Sequence, residues 1–186
     1  MRKFWGILVT LLGFCSCNND EADVKLCFIG DSMIANWDVE RHFPNRIVEN
    51  RGKDGIGIAE ITTFTQSDLS AEAVVLIGTN DIKLSMTDEQ VDNYIMQYSD
   101  AIEQLKFKRI VLVSILPTSN EPKNQIIERV NTRIKEKVAF NTNIEYIDCY
   151  DVFLRDGFIK EELSREGLHL NDYGYILLTD QVKKRL

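Results

Sequence analysis

Five residues of this chain have the types that acyl transfer uses: Ser32, Gly52, Asn80, Glu166 and His169. Serine is a weak nucleophile at its own pKa and needs a general base within hydrogen-bond reach. His169, one of only two histidines, is the candidate base. Glu166 lies three residues before it, a spacing at which a turn brings the carboxylate to the imidazole and fixes its tautomer. A backbone carbonyl is the alternative orienting group. An oxyanion needs donors, and the Ser32 amide, the Gly52 amide and the Asn80 side chain are the candidates. Read singly, each residue also has a plainer use: Asn80 and Gly52 as turn formers, Glu166 as a solvated acid.

Ser32 sits where such chemistry is favoured. The apolar run Val24 to Ile29 stops at Gly30, an acid and the serine follow, and helical spacing begins at Met33. This is a strand, a tight turn and a helix start. Gly30 lets the backbone turn without a Cβ clash. Free amides and the positive end of the helix dipole favour developing negative charge there. Asp31 and Ser32 also suit a simple N-cap, so the remaining blocks must decide between the two readings.

The elements that position these residues alternate. Strands are predicted over Val24–Ile29, Arg46–Glu49, Ala73–Ile77, Arg109–Ile115 and Ile144–Ile147. Helical spacing covers Met33–Phe43, Ile58–Leu69, Asn124–Phe140 and Asn171–Leu186. Thr87 and Gln90 form a capping box before a helix that presents Val91, Tyr94, Ile95, Tyr98, Ile102 and Leu105 on one face. Strands alternating with helices predict a parallel sheet covered on both faces. Five strands suit an open doubly wound sheet rather than an eight-stranded barrel. Ligands of such sheets lie outside the carboxyl ends of the strands. Gly30-Asp31-Ser32, Asn50-Arg51-Gly52 and Gly78-Thr79-Asn80-Asp81 each follow a predicted strand. Asp31 and Asp81 are expected to cap and brace loops. Arg51 is a candidate for a substrate carboxylate or phosphate, and His42 reads as an ordinary exposed histidine.

The chain of 186 residues is 44% hydrophobic, enough for one domain with a real core. Its first 17 residues resemble an export signal. Arg2 and Lys3 precede an eleven-residue apolar stretch, Phe4–Phe14, too short to span a membrane, and Cys15-Ser16-Cys17 follows. This cleavage region resembles that of a bacterial lipoprotein, with Cys17 as the lipidation candidate and residues 18–23 as a tether to a domain over 24–186. Residues 1–17 hold two basic residues and no acid, so the rest carries 22 − 2 = 20 basic against 29 acidic residues, a net charge of −9. That balance argues against a nucleic-acid partner and leaves lipid on Cys17 as the sole route to a membrane. Cys27 and Cys149 lie in apolar strand-like runs and fit no zinc spacing, so no metal site is expected.

The four blocks around Ser32, Gly52, Asn80 and His169 resemble the GDSL or SGNH hydrolase family, named for its Ser, Gly, Asn and His in that order. The resemblance covers nearly all of residues 24–186. Gly78-Thr79-Asn80-Asp81 and Gly167-Leu168-His169-Leu170-Asn171 carry it most closely. It implies a flavodoxin-like three-layer α/β/α sandwich with strand order 2-1-3-4-5. In that order Cys27 and Cys149 stand three strand spacings of roughly 4.8 Å apart, too far to bridge, so free thiols are expected. The resemblance also implies a serine esterase acting on a small ester substrate, with no cofactor or metal. An acetyl group on carbohydrate is the first choice of substrate, and lysophospholipase or thioesterase work the alternative. The chain departs from the family in carrying Glu166 where an Asp is usual, and Met33 where the Leu of GDSL would stand. Glu166 is the one feature that favours a decayed glycan-binding module. A nucleotide-binding module would share the fold, but the loop after the first strand has no phosphate-cradling glycines.

Overall fold

The computed structural model describes residues 24–186. The signal-peptide, Cys17 and tether expectations lie outside them. Five parallel strands form the central sheet: β1 (Leu26–Gly30), β2 (Val48–Gly52), β3 (Asp68–Leu76), β4 (Phe107–Val113) and β5 (Ile144–Ile147). Their order is β2-β1-β3-β4-β5, as the resemblance implied. Among the described residues no helix is long and apolar enough to cross a membrane.

Strand alternation divides the core into two layers. Cys27 and Ile29 of β1, with Ala73 and Val75 of β3, face one side of the sheet. That side is covered by α4 (Asp88–Gln104) and α5 (Glu121–Val138). Leu26 and Phe28, with Val74 and Leu76, face the other, under α1 (Ser32–Ala35), α2 (Val39–His42) and α7 (Asp172–Lys183). Cys27 and Cys149 belong to opposite layers, and both are buried free thiols. The capping box opens α4 as its sequence predicts: Gln90 donates its amide to Thr87 Oγ1, and Thr87 donates its own to Gln90 Oε1.

The structure corrects several boundaries. The helix expected over Met33–Phe43 is two short helices, α1 and α2. Asn50 of β2 donates through Nδ2 to the carbonyls of Ile34, at 2.8 Å, and Trp37, at 2.9 Å, diverting acceptors that a continuous helix would use. Asp38 then caps α2 by accepting from the Arg41 amide. Trp37, in the break, is buried among Phe28, Phe43 and Tyr175. His42 packs against Trp37 and is half-buried rather than exposed.

Residues Ile58–Leu69 form a 3-10 turn (Ile58–Glu60) and the one-turn helix α3 (Ile61–Phe64) before β3 begins. Strand β2 runs later than expected, so Gly52 is its last residue, paired with Gly30 of β1. Helix α5 starts before Asn124, capped by Asn120. Asn124 is buried and bonds the Thr118 amide, the Thr118 carbonyl and the Gly157 carbonyl. Between β5 and α7 lie α6 (Tyr150–Phe153), the hairpin of β6 (Leu154–Arg155) and β7 (Phe158–Ile159), and a 3-10 turn.

Asp31 is the N-cap of α1 and accepts the Met33 amide through Oδ1 at 2.9 Å. The residue is 1% exposed and its Oδ2 has no hydrogen-bond partner. Burial pushes its carboxyl up from 3.8 to about 6. The folded chain therefore keeps a proton between about pH 4 and 6 that the unfolded chain releases. Stability from this group is complete below pH 4 and is lost as pH rises through 6, by about 3 kcal/mol. Asp31→Asn keeps the capping oxygen and removes the charge. Thermal unfolding should show the variant stabilised at pH 7.5 relative to the parent, with little difference at pH 4. An equal shift at both pH values would refute this account of Asp31.

Candidate active site

The parallel arrangement brings the carboxyl ends of β1, β2 and β3 to one edge, and the loops there carry the candidate residues. Ser32 opens α1 directly after β1 and is half-buried. Helix α7 approaches α1 from the far end of the chain, where the buried Tyr175 hydroxyl donates to the Met33 carbonyl at 2.9 Å. Asn171 caps α7 by accepting the Gly174 amide and also donates to the Glu162 carbonyl. The Ser119 amide donates to the Gly167 carbonyl, and the Arg165 amide to the His169 carbonyl. These bonds hold the His169 loop against both α1 and the loop after β4.

That scaffold places His169 Nε2 2.9 Å from Ser32 Oγ. The other ring nitrogen, Nδ1, makes a short contact with Glu166 Oε1, which also accepts the His169 backbone amide. One carboxylate oxygen thus closes the turn and meets the ring. The His169 hydrogen bond is the main cause holding the Glu166 carboxyl below its usual range. With the proton on Nδ1, Nε2 is free to accept the serine hydroxyl hydrogen. The His169 and Glu166 side chains are 32% and 55% exposed, so the pair stands at an open surface.

Asn80 lies at the same edge. Its Nδ2 donates to the Ile56 carbonyl at 2.8 Å, which uses one of its two N–H groups. Asp81 braces the same loop: Oδ2 accepts the Ile58 amide at 2.9 Å and the Tyr94 hydroxyl at 3.2 Å. Burial raises the Asp81 carboxyl above its ordinary value.

Gly52 ends β2 at the same edge. Its amide donates to Asn50 Oδ1 at 2.8 Å, so it is already engaged. A Cβ at Gly52 would stand 2.2 Å from the Ala35 amide nitrogen, so glycine is required here for the close approach of α1 to β2. Beyond it, the Lys53 amide bonds the Gly30 carbonyl and the Ile56 carbonyl accepts from Asn80, so residues 53–56 cross from the end of β1 to the loop after β3. Gly55 lies within that crossing with φ +74°, a left-handed value that glycine adopts freely. Its amide bonds no described residue.

Arg51 points elsewhere: its guanidinium pairs with Glu49 and donates to the Gln66 carbonyl. Asn50 and Tyr175 shape the site without having been singled out in the sequence. Asn50 stands in the Asn50-Arg51-Gly52 block, but two of its three bonds, to the Ile34 and Trp37 carbonyls, depend on the packing of the α1 segment against β2. Tyr175 reads as one more apolar position of the last helix. Among the described residues no group of three or more His, Cys, Asp or Glu side chains is arranged to hold a metal ion.

Comparisons with known proteins bear on the family and the fold. The model of the GDSL-like Lipase/Acylhydrolase family matches residues 28–177. No curated protein matches the chain. A Streptococcus pneumonia protein, provisionally described as a platelet activating factor, is similar at 25% identity and TM-score 0.74, covering 90% of this chain and 86% of its own. A GDSL-like lipase from Bacteroides thetaiotaomicron VPI-5482 has TM-score 0.70 at 19% identity over 87% of this chain and 86% of its own. An acetylxylan esterase from Geobacillus stearothermophilus has TM-score 0.68 at 18% identity over 87% of this chain and 93% of its own. These last two likenesses concern the fold. The family match spans the Ser32, Asn80 and His169 loops together with the sheet that aligns them, and this chain belongs to the GDSL-like lipase/acylhydrolase family.

Proposed function

We propose that the chain is a serine ester hydrolase that removes small acyl groups, acetyl first among them, from carbohydrate. The observation that carries the proposal is the hydrogen-bonded line from Ser32 Oγ through His169 to Glu166. Ser32 attacks the ester carbonyl while His169 Nε2 takes its proton. The tetrahedral intermediate collapses, the carbon–oxygen bond to the alcohol breaks, and His169 returns the proton to the leaving oxygen. Water then repeats the sequence on the acyl-enzyme. Glu166 orients the imidazole and stabilises its protonated form.

The oxyanion is held by the Ser32 amide and the second N–H of Asn80 Nδ2. For the third donor, Gly52 would have to release Asn50, whereas the Gly55 amide is unengaged. We therefore assign that place to Gly55. The exposed His169–Glu166 pair favours the edge of a bulky polar alcohol over a chain buried in a tunnel. Lysophospholipase or thioesterase activity is the second reading. We further propose that the protein is exported and anchored through lipid on Cys17, on the strength of residues 1–17 alone.

Three measurements test these assignments. Residues 18–186 should cleave an acetyl ester faster than an octanoyl ester of the same chromogenic alcohol, and Ser32→Ala should abolish both activities. Absence of Ser32-dependent turnover would remove the hydrolase reading, and faster octanoyl cleavage would favour the lipid or thioester reading. Asn80→Ala should lower kcat on the order of a hundredfold with KM little changed, because the lost donor acts on the transition state. An unchanged kcat would exclude Asn80 from the oxyanion site. Labelling of the full chain with a tagged fatty acid should be lost in Cys17→Ser; label that persists would rule out that anchor.

A further inference from the structure

Parallel strands give the sheet two unlike edges. Every strand of the sheet leaves toward the edge that holds Ser32, so every strand enters from the opposite, amino edge. Residues 24–25, 43–47, 65–67, 105–106 and 139–143 lead into the five strands, and residues 184–186 follow α7. Arg109, near the start of β4, donates to the Arg185 carbonyl, and Arg185 pairs with Glu145 near the start of β5, which seats the end of α7 at the amino edge as well. Together these segments hold Lys25, Arg46, Lys106, Lys184 and Arg185 and no acidic side chain. The segments that leave the strands, at 31, 53–57, 77–87, 114–120 and 148–171, hold more acids than bases, with Asp31, Asp54, Asp81 and Glu166 among them. The acidic net charge of the chain thus conceals a basic edge opposite an acidic one.

The basic edge also carries bare apolar side chains. Phe140 and Leu69 are 93% and 73% exposed, the two most exposed large hydrophobic residues among those described. Strand β3 begins before its pairing with β1 at Glu72, so Leu69 projects past the end of β1. Leu69, Asn141 and Ile144 line one small cavity of about 210 Å³, so the turn that carries Phe140 adjoins Leu69. Ile47 is exposed beside the start of β1, where its carbonyl accepts the Leu26 amide at 2.8 Å. Apolar exposure alone does not select this edge, because Leu84 and Tyr173 are bare near the other. The charge does. Lys106, Lys108 and Lys184 are exposed and enter no ion pair among the described residues, whereas Lys25, Arg46 and Arg185 are paired with Glu49, Glu72 and Glu145.

We infer that the amino edge rests on an anionic bilayer surface, with Phe140 and Leu69 entering the interface and the Ser32 edge turned away from it. The inference rests on lipid at Cys17 and is independent of ester hydrolysis. Val24 lies at the basic edge, where its carbonyl accepts from Arg46 at 3.5 Å. Residues 18–23 join it to Cys17 and reach at most about 20 Å. Lipid on Cys17 therefore brings this edge closest to the bilayer. Basic side chains are drawn to anionic headgroups, and the acids of the far edge are repelled. The tether itself carries Asp20, Glu21 and Asp23, so the attraction falls to the edge. A second copy of the chain fits less well, because pairing this edge with itself opposes like charges. The five residues of β1 separate the two edges by about 16 Å. The site then opens to substrate in solution rather than to lipid of the supporting membrane.

The test uses the lipidated full chain on phosphatidylcholine vesicles that contain phosphatidylglycerol and brominated acyl chains. An environment-sensitive fluorophore is attached through Thr142→Cys, beside Phe140, or through Ser85→Cys, at the carboxyl edge; Cys27 and Cys149 are buried. Bromine should quench the first probe about twofold and leave the second unchanged. Adding Phe140→Asp, or omitting phosphatidylglycerol, should relieve the quenching at position 142. Equal quenching at both positions, none at either, or quenching at 142 that neither change relieves overturns the orientation and leaves the anchor standing. A chain that takes no fatty acid on Cys17 overturns the anchor and this inference with it.

Discussion

Helix α1 can hold Ser32 opposite His169 only because its backbone lies directly against the end of β2. Gly52 has no side chain at the point of contact, where any Cβ would meet the Ala35 backbone. Asn50, two residues earlier, then binds the Ile34 and Trp37 carbonyls through one nitrogen. A glycine that permits the approach and an asparagine that fastens it end α1 after a single turn. From the other side Tyr175 fastens α7 to the Met33 carbonyl. Ser32 is therefore positioned by β2 and by the last helix as much as by the strand that precedes it.

The same close packing has an electrostatic cost. Asp31 and Asp81 are acids in the loops beside Ser32 and Asn80, and burial raises both pKa values. Each holds backbone in place: Asp31 caps α1, and Asp81 braces the loop that Asn80 also touches. A buried carboxylate with incomplete hydrogen bonding weakens the fold at neutral pH. Its retention beside a proposed oxyanion site fits the general pattern that strain and unfavourable burial gather where geometry must be held. Glu166 stands in the opposite environment, exposed and stabilised in its charged form by His169.

The longer side chain at position 166 shows how local geometry absorbs a departure from a family pattern. The turn between Glu166 and His169 lets one carboxylate oxygen meet both the backbone amide and ring Nδ1 of His169. The extra methylene is taken up within that turn, and Glu166 meets the imidazole. The feature that favoured a decayed site therefore loses its force.

The sequence by itself determined the alternation of strands and helices, the two-faced core and the Ser32, Asn80 and His169 blocks at strand and helix ends. These follow from short-range signals: apolar runs of strand length, the Thr87–Gln90 capping box, and glycine or asparagine where chains turn. Tertiary contacts decided the rest. The split of the Met33–Phe43 segment depends on Asn50, the engagement of the Gly52 amide depends on the same side chain, and the later start of β2 depends on pairing with β1. Free Gly55, bound Gly52 and buried Asn124 look alike in one dimension. A hydrogen bond between residues far apart in the chain leaves no periodicity in either segment, so its effect on which amides remain free is visible only once the elements have met.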